Sequence, residues 1–168
     1  ALKWSALGLI AGAGLVLLGA WYLEQYFFRV KKFDIGIKGR GKKLRLLLLT
    51  DMHLKKTFRA FHARLAKRIN EINPHLILIS GDMLNDDGTT NLLHRFLSRI
   101  NQQITKVAIL GNHDHRARVD NEIIEKIFRQ YNCQLLVNSS KAFKLDGVRM
   151  MVTGLHDFIE SDHDFDTA

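Results

Sequence analysis

Four apolar runs alternate along the chain with segments in which apolar residues recur at helical spacing, and this alternation restricts the fold more than any other feature. The apolar runs are Leu44–Leu49, Leu76–Ile79, Val107–Leu110 and Leu135–Val137. The helical patterns cover Phe58–Ile72, Leu92–Ile100 and Ile123–Tyr131. Apolar runs of this kind indicate parallel strands covered on both faces, and Asp146-Gly147 predicts a closing hairpin. We therefore predict an α/β fold in which helices flank a layered sheet.

An uncharged stretch from Trp4 to Leu23 precedes this pattern. As a helix it is about 30 Å long, the thickness of a bilayer core, and it has aromatic residues at both ends, as membrane interfaces favour. We predict a single-pass transmembrane anchor and flank in residues 1–30 and a globular domain in residues 31–168. A cleaved signal peptide and a buried core helix are the alternatives. The stretch is longer than a signal-peptide core and has no polar face.

The positive charge of the chain is placed unevenly around this stretch. Only Lys3 precedes it, whereas the basic residues that follow are Arg29, Lys31, Lys32, Lys38, Arg40, Lys42, Lys43 and Arg45. The positive-inside rule favours a catalytic domain on the cytoplasmic side, and basic residues near a bilayer attract anionic headgroups. No nucleic-acid recognition motif accompanies the charge, so we interpret it as membrane-facing or as ordinary solvated surface charge before nucleic acid, and we expect a lipid bilayer as the partner.

Each of three successive predicted strands is followed by a short polar motif. The motifs are Asp51-Met52-His53, Gly81-Asp82 and Gly111-Asn112-His113-Asp114. Open α/β sheets bind ligands outside the carboxyl ends of their strands, and Asp, His and Asn side chains are ligands of hard and borderline metals. We predict two divalent ions, Mn, Fe, Zn or Mg: Asp51 and His53 bind the first, Asp82 bridges, and Asn112 binds the second.

Two such ions about 3.5–4 Å apart hold a bridging hydroxide and clamp a phosphoryl group for in-line attack. His113 follows the ligand Asn112 and is placed to act as the general acid for the leaving oxygen. Asp114 is predicted to orient the imidazole of His113. Each motif by itself is common, and their joint position after three strands is the specific signal.

In these motifs the sequence resembles the calcineurin-like metallophosphoesterase family, whose pattern is DxH, then GD, then GNHD. The similarity extends from about Leu44 to Asp157 and includes a GLHD segment at Gly154–Asp157. The uncharged N-terminal stretch is similar to that of the membrane-anchored bacterial branch of the family. The resemblance implies the calcineurin-like phosphoesterase fold, the metal ligands named above, and His113 as catalytic acid or transition-state stabiliser.

The family pattern also includes a later single histidine and a GHxH motif, and neither occurs in this sequence. The histidines on or beside predicted helices, His62, His75 and His94, are interpreted as structural or surface residues. We therefore expect a C-terminally truncated domain with weak metal binding, an unpaired sheet edge and a partly exposed apolar face. For these residues alone we expect phosphodiester hydrolysis near background.

The leading hypothesis is a membrane-anchored hydrolase of a phosphoester or pyrophosphate, with lipid-linked compounds among its candidate substrates. The alternatives are a non-catalytic membrane-bound interaction module, an inactive fragment of the enzyme, and a secreted soluble phosphatase. The chain keeps every acidic and Asn ligand of the predicted metal site, which favours the enzyme over the interaction module. The sequence determines neither the substrate, the metal nor the oligomeric state.

Overall fold

The computed structural model describes residues 12–20, 28–36, 41–87 and 89–155. The chain divides into two compact units, Ala1–Ile37 and Lys38–Ala168. In the first unit residues 12–20 are helical and are named α1. The predicted anchor, Trp4 to Leu23, lies partly outside the described residues, and no helix within them has both the length and the apolar character needed to cross a bilayer.

The second unit alternates strands and helices and then ends in a hairpin. Its elements are β1 (Leu46–Leu49), α2 (Ala60–Ile72), β2 (Leu76–Ser80), α3 (Thr90–Leu97), β3 (Thr105–Ile109), α4 (Asn112–Arg116), α5 (Asn121–Gln130), β4 (Cys133–Leu135), β5 (Ser139–Leu145) and β6 (Val148–Gly154). Strands β1 to β4 form a parallel sheet in that order, and β5 pairs with β6 in an antiparallel ribbon. The predicted α/β fold with a parallel sheet is confirmed.

Two strands begin two residues earlier than predicted, because polar residues continue the apolar runs. In the sheet Lys106 pairs with Cys133, and Val107 pairs with Gln134. Neither Lys106 nor Gln134 fits an apolar run, so hydrophobicity alone places the start of β3 and of β4 too late.

The helices pack on one face of the parallel sheet, and that face contains the main core. The largest fully buried side chains there include Phe96, Phe128, Ile69 and Leu93. The opposite face carries a small cluster around Leu76, Val107 and Leu136, against which the β5–β6 ribbon packs. Within the described residues β1 pairs with β2 alone, and Leu46 and Leu48 remain 47% and 65% exposed. The expected unpaired edge and exposed apolar face are thus both present in this part of the chain.

Lys106 is an unusual residue for an interior strand because its side chain is fully buried. Its ammonium group donates hydrogen bonds to the carbonyls of Ile104 at 2.8 Å, Tyr131 at 2.9 Å and Asn101 at 3.3 Å. It therefore joins the loop before β3 to the turn between α5 and β4. Burial lowers the pKa of Lys106 to about 8 from 10.5, with the nearby Cys133 acting in the opposite direction.

The depressed pKa of Lys106 predicts that the free energy of unfolding rises with pH between about 8 and 10.5. In that window the unfolded chain holds the proton more tightly than the folded one, which gives a slope of at most about 1.4 kcal/mol per pH unit. The slope contributed by this group should be absent from Lys106→Met and Lys106→Gln. Urea unfolding below, within and above the window measures it. Equal slopes in wild type and both variants would contradict the assignment.

Candidate metal centre

The three polar motifs meet at the carboxyl edge of the parallel sheet, as the sequence predicted. Asp51 and His53 follow β1, Asp82 follows β2, and Asn112 opens α4 after β3. Parallel pairing of adjacent strands brings their ends to the same edge, so residues distant in sequence become neighbours.

The first two strand-end loops have an unusual backbone conformation and are bonded to each other. Asp51, His53 and Asp82 have φ values of 54°, 42° and 52°, in the left-handed region that L-residues seldom adopt. The main-chain N–H of His53 donates to the carbonyl of Asp82 at 2.9 Å, and Leu54 donates to Met83 at the same distance. Leu54 is completely buried, which holds this loop in the core. Backbone strain held in place by such contacts is characteristic of functional sites.

Two glycines allow the second and third loops to approach closely. Gly81 has φ +88°, and a Cβ there would lie 2.7 Å from the main-chain nitrogen of Gly111. A Cβ on Gly111 would collide with the carboxylate of Asp82 and lie 2.8 Å from its main-chain nitrogen. The main chain therefore lies where any larger residue would place its side chain, and Asp82 sits directly against the start of α4.

Asp114 accepts hydrogen bonds from the main chain of these loops and not from the imidazole of His113. Its buried carboxylate accepts hydrogen bonds from the N–H groups of Leu84 at 2.7 Å and Gly111 at 3.1 Å. Burial raises the pKa of Asp114, main-chain hydrogen bonds lower it, and the charge of Asp82 raises it further. The predicted orienting role is therefore corrected: adjacent helical residues such as His113 and Asp114 do not face each other.

A different carboxylate holds the imidazole of His113. Nδ1 of His113 lies 2.7 Å from Oδ1 of Asp86, which belongs to the loop after β2. The main-chain N–H of His113 also donates to Oδ1 of Asp82 at 3.0 Å. The sequence analysis missed Asp86, although an acidic residue four positions after Asp82, in a loop that must lie near α4, was an available signal.

Three of these side chains form a group that suits a divalent metal. One ligand atom each from His53, Asp82 and His113 lies within 4.8 Å of the other two. The rings of His53 and His113 meet edge to face, with centroids 4.6 Å apart. Nδ1 of His53 is buried without a hydrogen-bond partner among the described residues, which is costly unless a ligand supplies one. Two imidazoles and a carboxylate are the donors that borderline metals prefer, so these residues fit the predicted ion.

The other predicted ligands lie beside this group. Oδ1 of Asp51 is 3.7 Å from Nε2 of His53, and the hydroxyl of Thr50 donates to Oδ2 of Asp51 at 2.7 Å. Asn112 is half-buried directly before His113. Of the GLHD segment, His156 and Asp157 lie outside the described residues. The histidines interpreted as structural are hydrogen-bonded away from the site, with His62 accepting from the N–H of Arg59 at 3.0 Å.

The bonding of Asp114 predicts that its loss destabilises the fold and not merely the chemistry. Asp114→Ala leaves two buried N–H groups without an acceptor, each costing about 1–3 kcal/mol. Asp114→Asn keeps one acceptor oxygen, so its free energy of unfolding should fall by less than that of Asp114→Ala. Urea unfolding compares both with Asp146→Asn, a change at an exposed turn. Stability equal to wild type in Asp114→Ala would contradict this role.

Comparison with known proteins places the chain in a family. The calcineurin-like phosphoesterase profile matches residues 44–161. An uncharacterized metallophosphoesterase of Aquifex aeolicus is 35% identical over 106 residues, which are 60% of this chain and 40% of that protein. A second one, from Campylobacter jejuni, is 29% identical over 115 residues, covering 66% of this chain and 30% of the relative.

A further relative carries a more specific name. The UDP-2,3-diacylglucosamine pyrophosphatase LpxG of Chlamydia muridarum is 26% identical over 129 residues, which are 73% of this chain and 39% of LpxG. The chain thus spans between 30% and 40% of the length of these relatives. Because the family profile covers most of the chain, the protein belongs to the calcineurin-like phosphoesterase family of metal-binding hydrolases.

Proposed function

We propose that this protein hydrolyses a phosphoester or pyrophosphate bond close to a membrane, with divalent metal ions bound at the carboxyl edge of its sheet. The observation that carries the proposal is the group formed by His53, Asp82 and His113. Asp82 is the central member, since its main chain bonds to the first loop and its carboxylate to the third.

We assign Asp51, His53, Asp82 and Asn112 as the metal ligands, and His113, the third member of the group, to proton transfer beside the ions. Bound divalent ions would polarise a phosphoryl oxygen and lower the pKa of water at the site. The strained loops and the glycine contacts fix the ligand positions before any ion arrives, which reduces the ordering that binding requires.

His113 is proposed as the general acid that protonates the leaving oxygen. Asp86 engages Nδ1 of its imidazole, which leaves Nε2 as the nitrogen that delivers the proton. Asp86 acts through His113 as a positioning residue, because it fixes the ring orientation and the tautomer.

A lipid-linked pyrophosphate is the proposed substrate class. The name of LpxG, a pyrophosphatase of a diacylated nucleotide sugar, supports this class. The uncharged stretch Trp4–Leu23 supports a membrane anchor, and Leu15 to Leu18 of α1 are each at least 63% exposed. The basic residues after the stretch support a catalytic domain on the cytoplasmic side.

Metal binding provides the first test, measured by Mn²⁺ electron paramagnetic resonance on the full chain. Asp82→Asn should weaken Mn²⁺ binding by at least about tenfold, since loss of an outer partner alone costs that much. Asp146→Asn, an exposed acid distant in the fold, is the matched control and should bind Mn²⁺ as wild type does. Unchanged binding by folded Asp82→Asn would refute the proposed centre.

Turnover provides the second readout. The two later histidine motifs do not occur in the sequence, so absolute rates are expected to be low. The informative quantity is therefore the turnover rate of wild type divided by that of Asp82→Asn, both measured with Mn²⁺. We expect wild type to hydrolyse a lipid-linked pyrophosphate in mixed micelles faster than the variant does. Equal rates for the two proteins, with Mn²⁺ bound, would refute hydrolysis by this chain.

The role of Asp86 predicts a dependence on the leaving group. Asp86→Asn should lower turnover of an alkyl phosphodiester to the uncatalysed rate, since general acid catalysis contributes about 10²-fold or more. Turnover of a p-nitrophenyl ester should change far less, because that leaving group departs without a proton. Asp87→Asn is the matched control, since Asp87 pairs with Lys56 and not with His113. Equal losses on both esters would exclude the positioning role.

A further inference from the structure

One group of basic residues in the second unit lies on two neighbouring helices and the segment before them, and we name it the α2–α3 basic face. It comprises α2, α3, the residues directly after α3 and the segment leading into α2, with the basic residues Lys55, Lys56, Arg59, Arg64, Lys67, Arg68, Arg95 and Arg99. Of these, Lys56 pairs with Asp87 at 3.8 Å. Glu71 is the single acidic residue on these elements, and it pairs with Arg68 at 2.9 Å. Helix α5 is balanced by contrast, since Glu122 pairs with Lys126 and Glu125 with Arg129.

Two arginines of this face converge on one aromatic ring. The guanidinium carbons of Arg95 and Arg99 lie 4.5 Å and 4.8 Å from the centroid of the half-buried Phe58 ring. Phe58 belongs to the same loop as the candidate ligand His53. Two like charges therefore lie beside each other over this ring, just before the N-terminus of α2. The ring belongs to the loop after β1, which carries candidate metal ligands.

Neither guanidinium has an anionic partner within the described part of the chain. Both side chains are exposed, and neither forms an ion pair with a described carboxylate. Each guanidinium has five N–H donors in a planar fork that matches a phosphate group. Bringing two unpaired cations together costs electrostatic energy that an anion bound between them would reverse.

We propose that the α2–α3 basic face docks onto the phosphate headgroups of an anionic lipid bilayer, with Arg95 and Arg99 as its central contacts. The inference rests on the membrane location in the proposed function, and it specifies which face of the domain meets the bilayer. Clustered basic residues near an anionic leaflet each add attraction to the headgroups. A phospholipid surface is favoured over nucleic acid because an uncharged stretch of membrane length precedes the domain in sequence.

The experiment measures proximity of α3 to lipid in the full chain reconstituted into vesicles. An environment-sensitive dye is attached at Asn91→Cys, an exposed position one helical turn before Arg95, or at Gln130→Cys on α5. The native Cys133 is buried, and burial raises the pKa of its thiol to about 12, so it does not compete for the label. Brominated phosphatidylglycerol or phosphatidylcholine then quenches a dye that lies at the bilayer surface.

We expect quenching at position 91 at least about twofold above that at position 130 in phosphatidylglycerol vesicles, and no difference in phosphatidylcholine. Arg95→Gln with Arg99→Gln should abolish the difference. The double variant Lys126→Gln with Arg129→Gln removes the same amount of charge from α5, and the difference in quenching between the two positions should remain.

Equal quenching at both positions, or quenching insensitive to the Arg95 and Arg99 changes, would overturn the proposal. Binding of a short labelled DNA duplex that depends on Arg95 and Arg99, without vesicle quenching, would assign the face to nucleic acid instead. None of these readouts involves metal or substrate, so their failure leaves the phosphoesterase proposal standing.

Discussion

The carboxylate of Asp114 joins the loops that follow two neighbouring strands by accepting hydrogen bonds from the N–H groups of Leu84 and Gly111. Every candidate site residue lies on one of these loops, on the start of α4, or on the loop after β1, which bonds to the loop after β2 through His53 and Asp82. A buried carboxylate is costly unless donors satisfy it, and here the donors are main-chain N–H groups of the two loops. The position of the centre therefore depends on a residue that is not one of its proposed ligands.

Backbone strain and close main-chain contacts occur in the same loops, and both fix the side chains of the candidate metal centre. Asp51, His53 and Asp82 adopt positive φ values, and Gly81 and Gly111 bring two chains closer than side chains permit. These features weaken the fold locally, and the burial of Leu54 and Leu84 opposes that effect. The arrangement directs imidazole and carboxylate groups toward one point, which regular strand ends would not do.

Much of the fold followed from the sequence because the hydrophobic pattern carries it. The apolar runs located all four parallel strands, and parallel pairing then implied that Asp51, Asp82 and Asn112 share an edge. The prediction failed for side chains whose surroundings in the folded chain cannot be read from the hydrophobic pattern. Lys106 continues a strand despite its charge, since three carbonyls surround its ammonium group. The partner of His113 is Asp86 and not its neighbour Asp114, and that choice depends on the three-dimensional course of the loop after β2.

The one-sided placement of the helices has a consequence for the behaviour of the chain in solution. Strand β1 combines a free hydrogen-bonding edge, among the described residues, with the exposed side chains of Leu46 and Leu48. A leucine-rich edge strand without proline is a template for pairing with an identical strand from another molecule. During refolding at high concentration, β1 is therefore a segment at which intermolecular sheet growth can start, and lysine substitution at Leu48 should reduce aggregation through this edge.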